Sequence, residues 1–188
     1  RPSGLRPGTR LSTSYSNRTY AGRLMATYTS GVKKNGLAYS VSGSRRWAKQ
    51  GYIDGTLYDA FSLFGAVEYQ INEQHSLNAT ALWASNRRGR SSAITEEVFE
   101  LAGKKYNPYW GEQDGKIRNS RERKITEPIF MFNYYFNSEK FSLNTGMAYQ
   151  FGTNSRSRLG YYNAPNPDPT YYRYLPSFYI NYVKSFIM

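Results

Sequence analysis

Residues 61–84 alternate in character with a period of two. Phe61, Leu63, Gly65, Val67, Tyr69 and Ile71 fall on one side, and Ser62, Phe64, Ala66, Glu68 and Gln70 on the other. After the polar turn Asn-Glu-Gln-His at 72–75 the pattern resumes, with Leu77, Ala79, Ala81 and Trp83 against Ser76, Asn78, Thr80, Leu82 and Ala84. This is the period of a β-strand, whose successive side chains point to opposite faces. The same alternation sets Phe141, Leu143, Met147, Tyr149 and Phe151 against Ser142, Asn144, Gly146, Ala148 and Gln150, and Leu37, Tyr39, Val41 and Gly43 against Ala38, Ser40, Ser42 and Ser44. Strands are predicted over 9–16, 23–30, 37–46, 61–71, 76–84, 129–137 and 141–151. The strand at 129–137 carries Phe130, Phe132, Tyr134 and Phe136 on its even side and Tyr135 on its odd side. Its pattern therefore assigns neither face.

The connections differ in length according to side. Those at 31–36, 72–75 and 138–140 are short and polar, whereas those at 47–60, 85–128 and 152–177 are long; the tight first connection near 17–20 is the exception. An antiparallel meander with short turns on one rim and long loops on the other is the arrangement of outer-membrane barrels. The polar sides of the strands, mostly small and uncharged, suit a water-lined wall beside a lipid-facing band. A sheet with one face on a soluble core gives the same alternation, but it has no reason to sort its loops by length. Within the long connection, TEEVFELA at 95–102 predicts a short helix capped by Thr95, with Val98, Leu101 and Ala102 inward and Glu96, Glu97 and Glu100 as a solvated face.

Composition sharpens this picture. Of the 188 residues 39% are hydrophobic and 17% aromatic, with 19 tyrosines, which suits half-buried pleated surfaces and membrane boundaries. No run of about 20 apolar residues supplies a transmembrane helix. The absence of cysteine excludes disulfides and thiolate metal sites. The net charge of +12 calls for an anionic neighbour. Much of that charge lies where strands meet long loops: Arg45, Arg46 and Lys49; Arg87, Arg88 and Arg90; Arg121, Arg123 and Lys124; Arg156 and Arg158. In an outer membrane this basic rim would meet the phosphates of lipopolysaccharide, which arginine holds in bidentate fashion. Arg87, Arg88, Arg90, Arg123, Arg156 and Arg158 are the candidates for that contact; a generic solvated loop edge is the alternative.

The long loops carry distinctive sequence. YNPYWGEQDGKIRNSR at 106–121 and YYNAPNPDPTYYRYLPS at 161–177, together with RPGTR at 6–10, SRRW at 44–47 and GYIDGTLYDA at 51–60, resemble the early barrel region of Bacteroidetes TonB-dependent outer-membrane receptors with a carboxypeptidase-regulatory-like N-terminal domain. The likeness extends to about Tyr179, and NYVKSFIM departs from it. The resemblance implies an all-β fold: residues 1–188 would be an antiparallel meander of about seven or eight strands, a partial transmembrane β-barrel and a fragment of a plugged barrel on the order of 22 strands. The plug domain would lie upstream of Arg1. Such receptors sit in the cell outer membrane, capture an extracellular ligand and import it into the periplasm with energy relayed through TonB. The expected partners are therefore the TonB complex, reached through the upstream plug, outer-membrane lipid and lipopolysaccharide, and an imported ligand; nucleic acid is not among them.

Loop residues on a rigid scaffold are the natural ligand contacts. Tyr109, Trp110, Tyr171, Tyr172 and Tyr174 are candidates to stack on a ligand, and Arg118, Arg121 and Arg173 to hold an anionic group; the alternative is that these aromatics and prolines only pack the loops. No enzyme, cofactor or metal is expected. The single histidine, His75, has no second histidine or cysteine to complete a metal or nucleophile site, and Gly111, Gly115 and Gly160 lack the spacing of a phosphate loop. Asp114, Asn163, Asn166 and Asp168 match no calcium-loop signature. Two other readings stand beside the receptor: a complete eight-stranded barrel with a structural or adhesive role, and a soluble basic β-domain that binds nucleic acid.

Overall fold

A computed structural model describes residues 1–187. The chain opens with a 3-10 turn, Pro2–Gly4, and then runs through β1 (Gly8–Tyr15), β2 (Gly22–Thr29), β3 (Leu37–Ala48), β4 (Tyr58–Gln70) and β5 (His75–Gly89). A short helix α1 (Glu96–Ala102) and a small hairpin, β6 (Trp110–Gln113) with β7 (Lys116–Asn119), follow. The sheet resumes with β8 (Glu122–Thr126), β9 (Ile129–Asn137), β10 (Ser142–Gln150) and β11 (Thr153–Arg156), and the chain ends in α2 (Pro176–Ile187). No described helix is long and apolar enough to cross a membrane.

The fold is all-β. Strands β1 to β5 pair antiparallel in sequence order, β5 pairs with both β8 and β9, β9 pairs with β10, and β8 pairs with β11. Ser85 opposes Thr126 and Leu82 opposes Ile129, so β8 and β9 keep one register and form a single strand broken at Pro128, which has no N–H to donate. β10 and β11 likewise form one strand, in register with β9 and β8. The result is the predicted seven-strand meander, with the strands reaching further into the long connections than alternation indicated: β3 continues to Ala48 and β5 to Gly89. After the seventh strand comes helix α2, not an eighth strand. The sheet is open, with β1 at one edge and the β10–β11 strand at the other.

Register makes the two faces explicit. Tyr28, Val41, Gly65, Ala81, Phe130 and Tyr149 lie side by side across six strands, and Tyr39, Val67, Ala79, Phe132 and Met147 form the next row. The even side of β9 thus belongs to the apolar face, and Tyr135 points the other way. The opposite face carries Thr29, Ser40, Ala66, Thr80, Met131 and Ala148 in one row. Hydroxyl pairs bridge its strands: Thr27 with Ser42 at 2.8 Å, Thr29 with Ser40 at 3.0 Å and Ser44 with Ser62 at 2.9 Å. Such cross-strand pairs contribute roughly 0.2–1 kcal/mol each.

Burial runs opposite to that of a soluble sheet. Ala38, Ser40, Ala66, Glu68 and Asn78 on the polar face are buried, whereas Leu63, Phe130, Phe132, Met147 and Tyr149 on the apolar face are 45–71% exposed. The N-terminal segment produces the first effect. It lies on the polar face at the short-turn rim, where Arg1 pairs with Glu68 at 3.6 Å and the Ser3 N–H donates to Glu68 Oε2 at 3.0 Å. The Arg1 guanidinium also sits 4.5 Å over the Tyr135 ring.

The turn between β2 and β3 depends on Gly36, at φ +77°, whose carbonyl accepts from the Gln70 N–H at 2.9 Å. A Cβ there would run into the Gln70 carbonyl. Gly36→Ala is expected to destabilise the chain by about 1–3 kcal/mol, read from the urea unfolding midpoint. Gly65→Ala, where a Cβ meets nothing within 4 Å, should stay within about 0.5 kcal/mol of the parent.

Candidate functional site

All long connections leave the sheet at one rim. The loop 49–57, the segment 90–121 and the chain beyond Arg156 gather there, and two buried asparagines fasten the first two together. Asn107 Nδ2 donates to the carbonyls of Asp54, at 2.8 Å, and Arg90, at 3.1 Å, while its Oδ1 accepts from the Tyr109 N–H at 3.2 Å. Asn119 Nδ2 donates to Gly55 O at 3.0 Å and Arg90 O at 2.8 Å, and its Oδ1 accepts from the Arg121 N–H at 2.8 Å. Each amide therefore satisfies three backbone groups from two segments. Sequence reasoning assigned no role to either; the only local sign is that each sits within a loop motif quoted for its likeness, Asn107 before Pro108 and Asn119 before Ser120.

The candidate ligand contacts divide into groups. Arg121 lies 5.3 Å over the Tyr109 ring, and these two share a recess of about 210 Å³ with Leu159, Tyr161, Asn166 and Asp168. Burial, with the Asp168 carboxylate nearby, raises the Tyr106 phenol above its ordinary pKa. Trp110 has a structural position: it packs on Gly55, at φ +66°, where any Cβ would collide with the indole. Arg118 is exposed on the small hairpin, opposite Gly111. Tyr171, Tyr172 and Tyr174 pack on one another, with centroids 4.8 and 5.4 Å apart, and Tyr172 meets Phe178 of α2. Arg173 Nε donates to the Tyr172 hydroxyl at 3.0 Å; this and a hydrogen bond from Tyr171 lower the Tyr172 pKa, and the hydrogen bond to Tyr172 raises that of Tyr171. The structure thus brings Tyr109 and Arg121 together, keeps the Tyr171–Tyr174 cluster against α2 and leaves Arg118 apart.

Helix α1 differs from expectation in two respects. Thr95 caps it through the Val98 N–H and Val98 is buried, but Leu101 is 63% exposed and Ala102 is exposed too, because nothing packs on that side. Glu97 is not a purely solvated residue: it accepts from the Ser177 N–H at 2.8 Å and the Ser177 hydroxyl at 2.7 Å, tying α1 to the start of α2.

The chain matches no protein-family model, no curated protein and no solved structure.

The basic rim keeps one level but is divided by face. Tyr58, Arg88, Arg123 and Arg156 are directly opposed in that order on the polar face. Trp47, Asp59, Arg87 and Lys124 form the neighbouring row on the apolar face. Arg87 makes a two-pronged pair with Glu122, at 2.7 and 2.9 Å, and Arg45 pairs with Asp59 at 3.4 Å. Arg90 is used through its backbone, its N–H donating to Arg121 O at 2.9 Å and its carbonyl taken by the two asparagines. Arg158 lies beyond β11 and is exposed.

If the asparagines hold the loops, Asn119→Ala should free the 90–121 segment without opening the sheet. The substitution takes the side-chain partner from the Gly55 carbonyl and the Arg121 N–H, at about 1–3 kcal/mol each, while Asn107 keeps its bond to the Arg90 carbonyl. Amide exchange at Arg121 should accelerate at least tenfold, while amides in β3 and β4 keep their rates.

Proposed function

We propose that this sheet is a section of β-barrel wall in the outer membrane, part of a TonB-dependent receptor that captures an extracellular ligand and passes it to the periplasm without covalent chemistry. The observation that carries the reading is the inverted burial. A face seven strands wide displays Leu, Val, Phe, Met, Trp and Tyr with no described element over it, while Thr29, Ser40, Glu68 and Asn78 of the other face are buried. Lipid satisfies the first face and a hydrated lumen the second. Dimensions agree: β4, from Tyr58 to Gln70, spans about 40 Å along its axis at roughly 3.3 Å per residue, and a tilt of about 45° reduces this to about 28 Å, close to the height of a hydrocarbon core. Polar and amphipathic groups bound the band, with Trp47, Asp59, Arg87 and Lys124 above and, below, Tyr69 and the pair His75 and Tyr134, whose Nδ1 and hydroxyl are 2.6 Å apart.

In this reading the loop rim faces outward and the short turns face the periplasm. Tyr109, Arg121 and the Tyr171–Tyr174 cluster are then available to an arriving ligand, and Arg87 and Lys124, on the lipid side, are placed for lipopolysaccharide phosphates. The N-terminal segment enters along the polar face at the periplasmic rim, which suits a plug lying upstream, through which TonB would act. A soluble nucleic-acid-binding domain would leave the apolar face in water.

Single-tryptophan chains test the proposal. With the other two tryptophans changed to phenylalanine, Trp83 in bilayers of bromine-labelled phosphatidylcholine should lose most of its fluorescence, whereas Trp110 should lose little. A chain monodisperse in plain buffer whose Trp83 is no more quenched than Trp110 would refute the membrane reading.

A further inference from the structure

The loop-side half of the polar face holds cations without counter-charge. Arg23 and Arg46 are directly opposed on β2 and β3, and the Nε of each is buried without a hydrogen-bond partner. Arg23 reaches only the Met25 sulfur, at 3.0 Å, and Arg46 lies 5.9 Å over the Tyr20 ring. One row nearer the rim, Arg88, Arg123 and Arg156 oppose one another in turn. The ion pairs of the described residues draw their acids from elsewhere: Asp59 and Glu122 serve the apolar face, and Glu68 pairs with Arg1 at the far rim. Glu127, the acid in the row of Ser62 and Ala84, pairs with none of these arginines.

Like charges directly opposite across strands are destabilising, and a buried polar group without a partner costs free energy. A sheet that places both on one face is complete only when something anionic joins them. Arg46 lies over Tyr20, whose ring meets that of Tyr58, and Tyr58 lines a recess of about 300 Å³ with Arg18, Arg88 and Arg90. Tyr20 and Tyr58 make the connection, with centroids 6.1 Å apart. The Tyr58 oxygen accepts from Asn86 Nδ2 at 2.9 Å, which leaves its own O–H to donate. Arg46 and Arg88 are two strands and one row apart, about 9.6 Å across at 4.8 Å per strand step and about 6.6 Å along at 3.3 Å per residue, or about 12 Å in all, which exceeds one phosphate or carboxylate group and suits a ligand carrying several.

We propose that this half of the polar face binds a small polyvalent oxyanion, a soluble molecule with two or more phosphate or carboxylate groups, held by the Arg23–Arg46 pair at one end and by Arg18 and Arg88 at the other. The proposal rests on the barrel reading only for the route of entry, from the loop rim into the lumen. Guanidinium forks suit both groups because each offers paired oxygens.

Calorimetry on the full chain folded in detergent, titrated with pyrophosphate, with citrate and with lipopolysaccharide micelles, tests it. Pyrophosphate or citrate should bind, and Arg23→Gln/Arg46→Gln should weaken that binding at least tenfold. Lys34→Gln/Lys140→Gln, which removes the same charge at the opposite rim, should change it less than twofold. Arg23→Lys/Arg46→Lys, which keeps the charge but loses the forks, should weaken it at least threefold. Without anion, Arg23→Gln alone should raise the thermal midpoint, and it should lose the further rise that pyrophosphate gives the parent. Binding of neither small anion, an equal loss in the lysine control, binding of lipopolysaccharide alone, or a lowered midpoint in anion-free Arg23→Gln would each overturn the site. No small-anion binding by a parent chain whose Trp83 is quenched by lipid rejects the site alone. Binding by a chain monodisperse in plain buffer rejects the barrel alone.

Discussion

An apolar face seven strands wide has to be removed from water, and the described residues supply nothing to cover it. Leu11, Leu24, Val41, Leu63, Val67, Trp83, Phe130, Phe132, Leu143, Met147, Tyr149 and Phe151 are each between 40% and 72% exposed. At roughly 1.5–3 kcal/mol for full burial of such a side chain, covering the exposed part of these alone yields on the order of 10 kcal/mol. That is as large as the whole stability of a typical domain. The medium that meets this face therefore decides whether the sheet is stable. Pairing, register and loop placement all present the face without interruption: Pro128 removes one ladder donor but keeps the register across the break.

The same alternation determines the other face. Because one side collects most of the large apolar residues, the serines and threonines of the other meet one another across strands, and they do so in short hydrogen bonds. Near the short-turn rim the N-terminal segment completes this face, with Arg1 and the Ser3 N–H neutralising the buried Glu68 carboxylate. Near the loop rim no such segment lies over the arginines. The two ends of one polar surface thus differ, one closed by the chain's own residues and the other charged and open beneath the loops.

Much of this was legible in the sequence, and the reason is physical. A period of two survives in strands because each residue has only two directions to take, so all seven strands and the short turns could be read from alternation. Where alternation was ambiguous, cross-strand pairing decided it: Phe130 and Phe132 face the same way as Ala81 and Ala79 because register leaves no alternative. Side-chain to backbone contacts between distant segments leave no periodic trace. Asn107 and Asn119 act through carbonyls at positions 54, 55 and 90, and no local pattern announces that. Leu101 followed its helical spacing but found no neighbour, and Glu97 found one in Ser177, 80 residues away. The basic rim was visible as a cluster, but its division between faces depends on odd and even positions in strands longer than expected. Arg87 and Arg88, adjacent in sequence, stand on opposite sides of the sheet.

The most direct test of the inverted sheet is a spin-label scan along β4, one cysteine at a time from 61 to 70, in the full chain reconstituted into bilayers. Labels at 63, 65, 67 and 69 should be open to dissolved oxygen and closed to a water-soluble nickel chelate. Labels at 62 and 64 should show the reverse, and those at 66 and 68, beneath the N-terminal segment, should be closed to both. A profile without this period of two, or odd positions reached equally well by the nickel reagent, would contradict a sheet whose apolar face is covered by lipid.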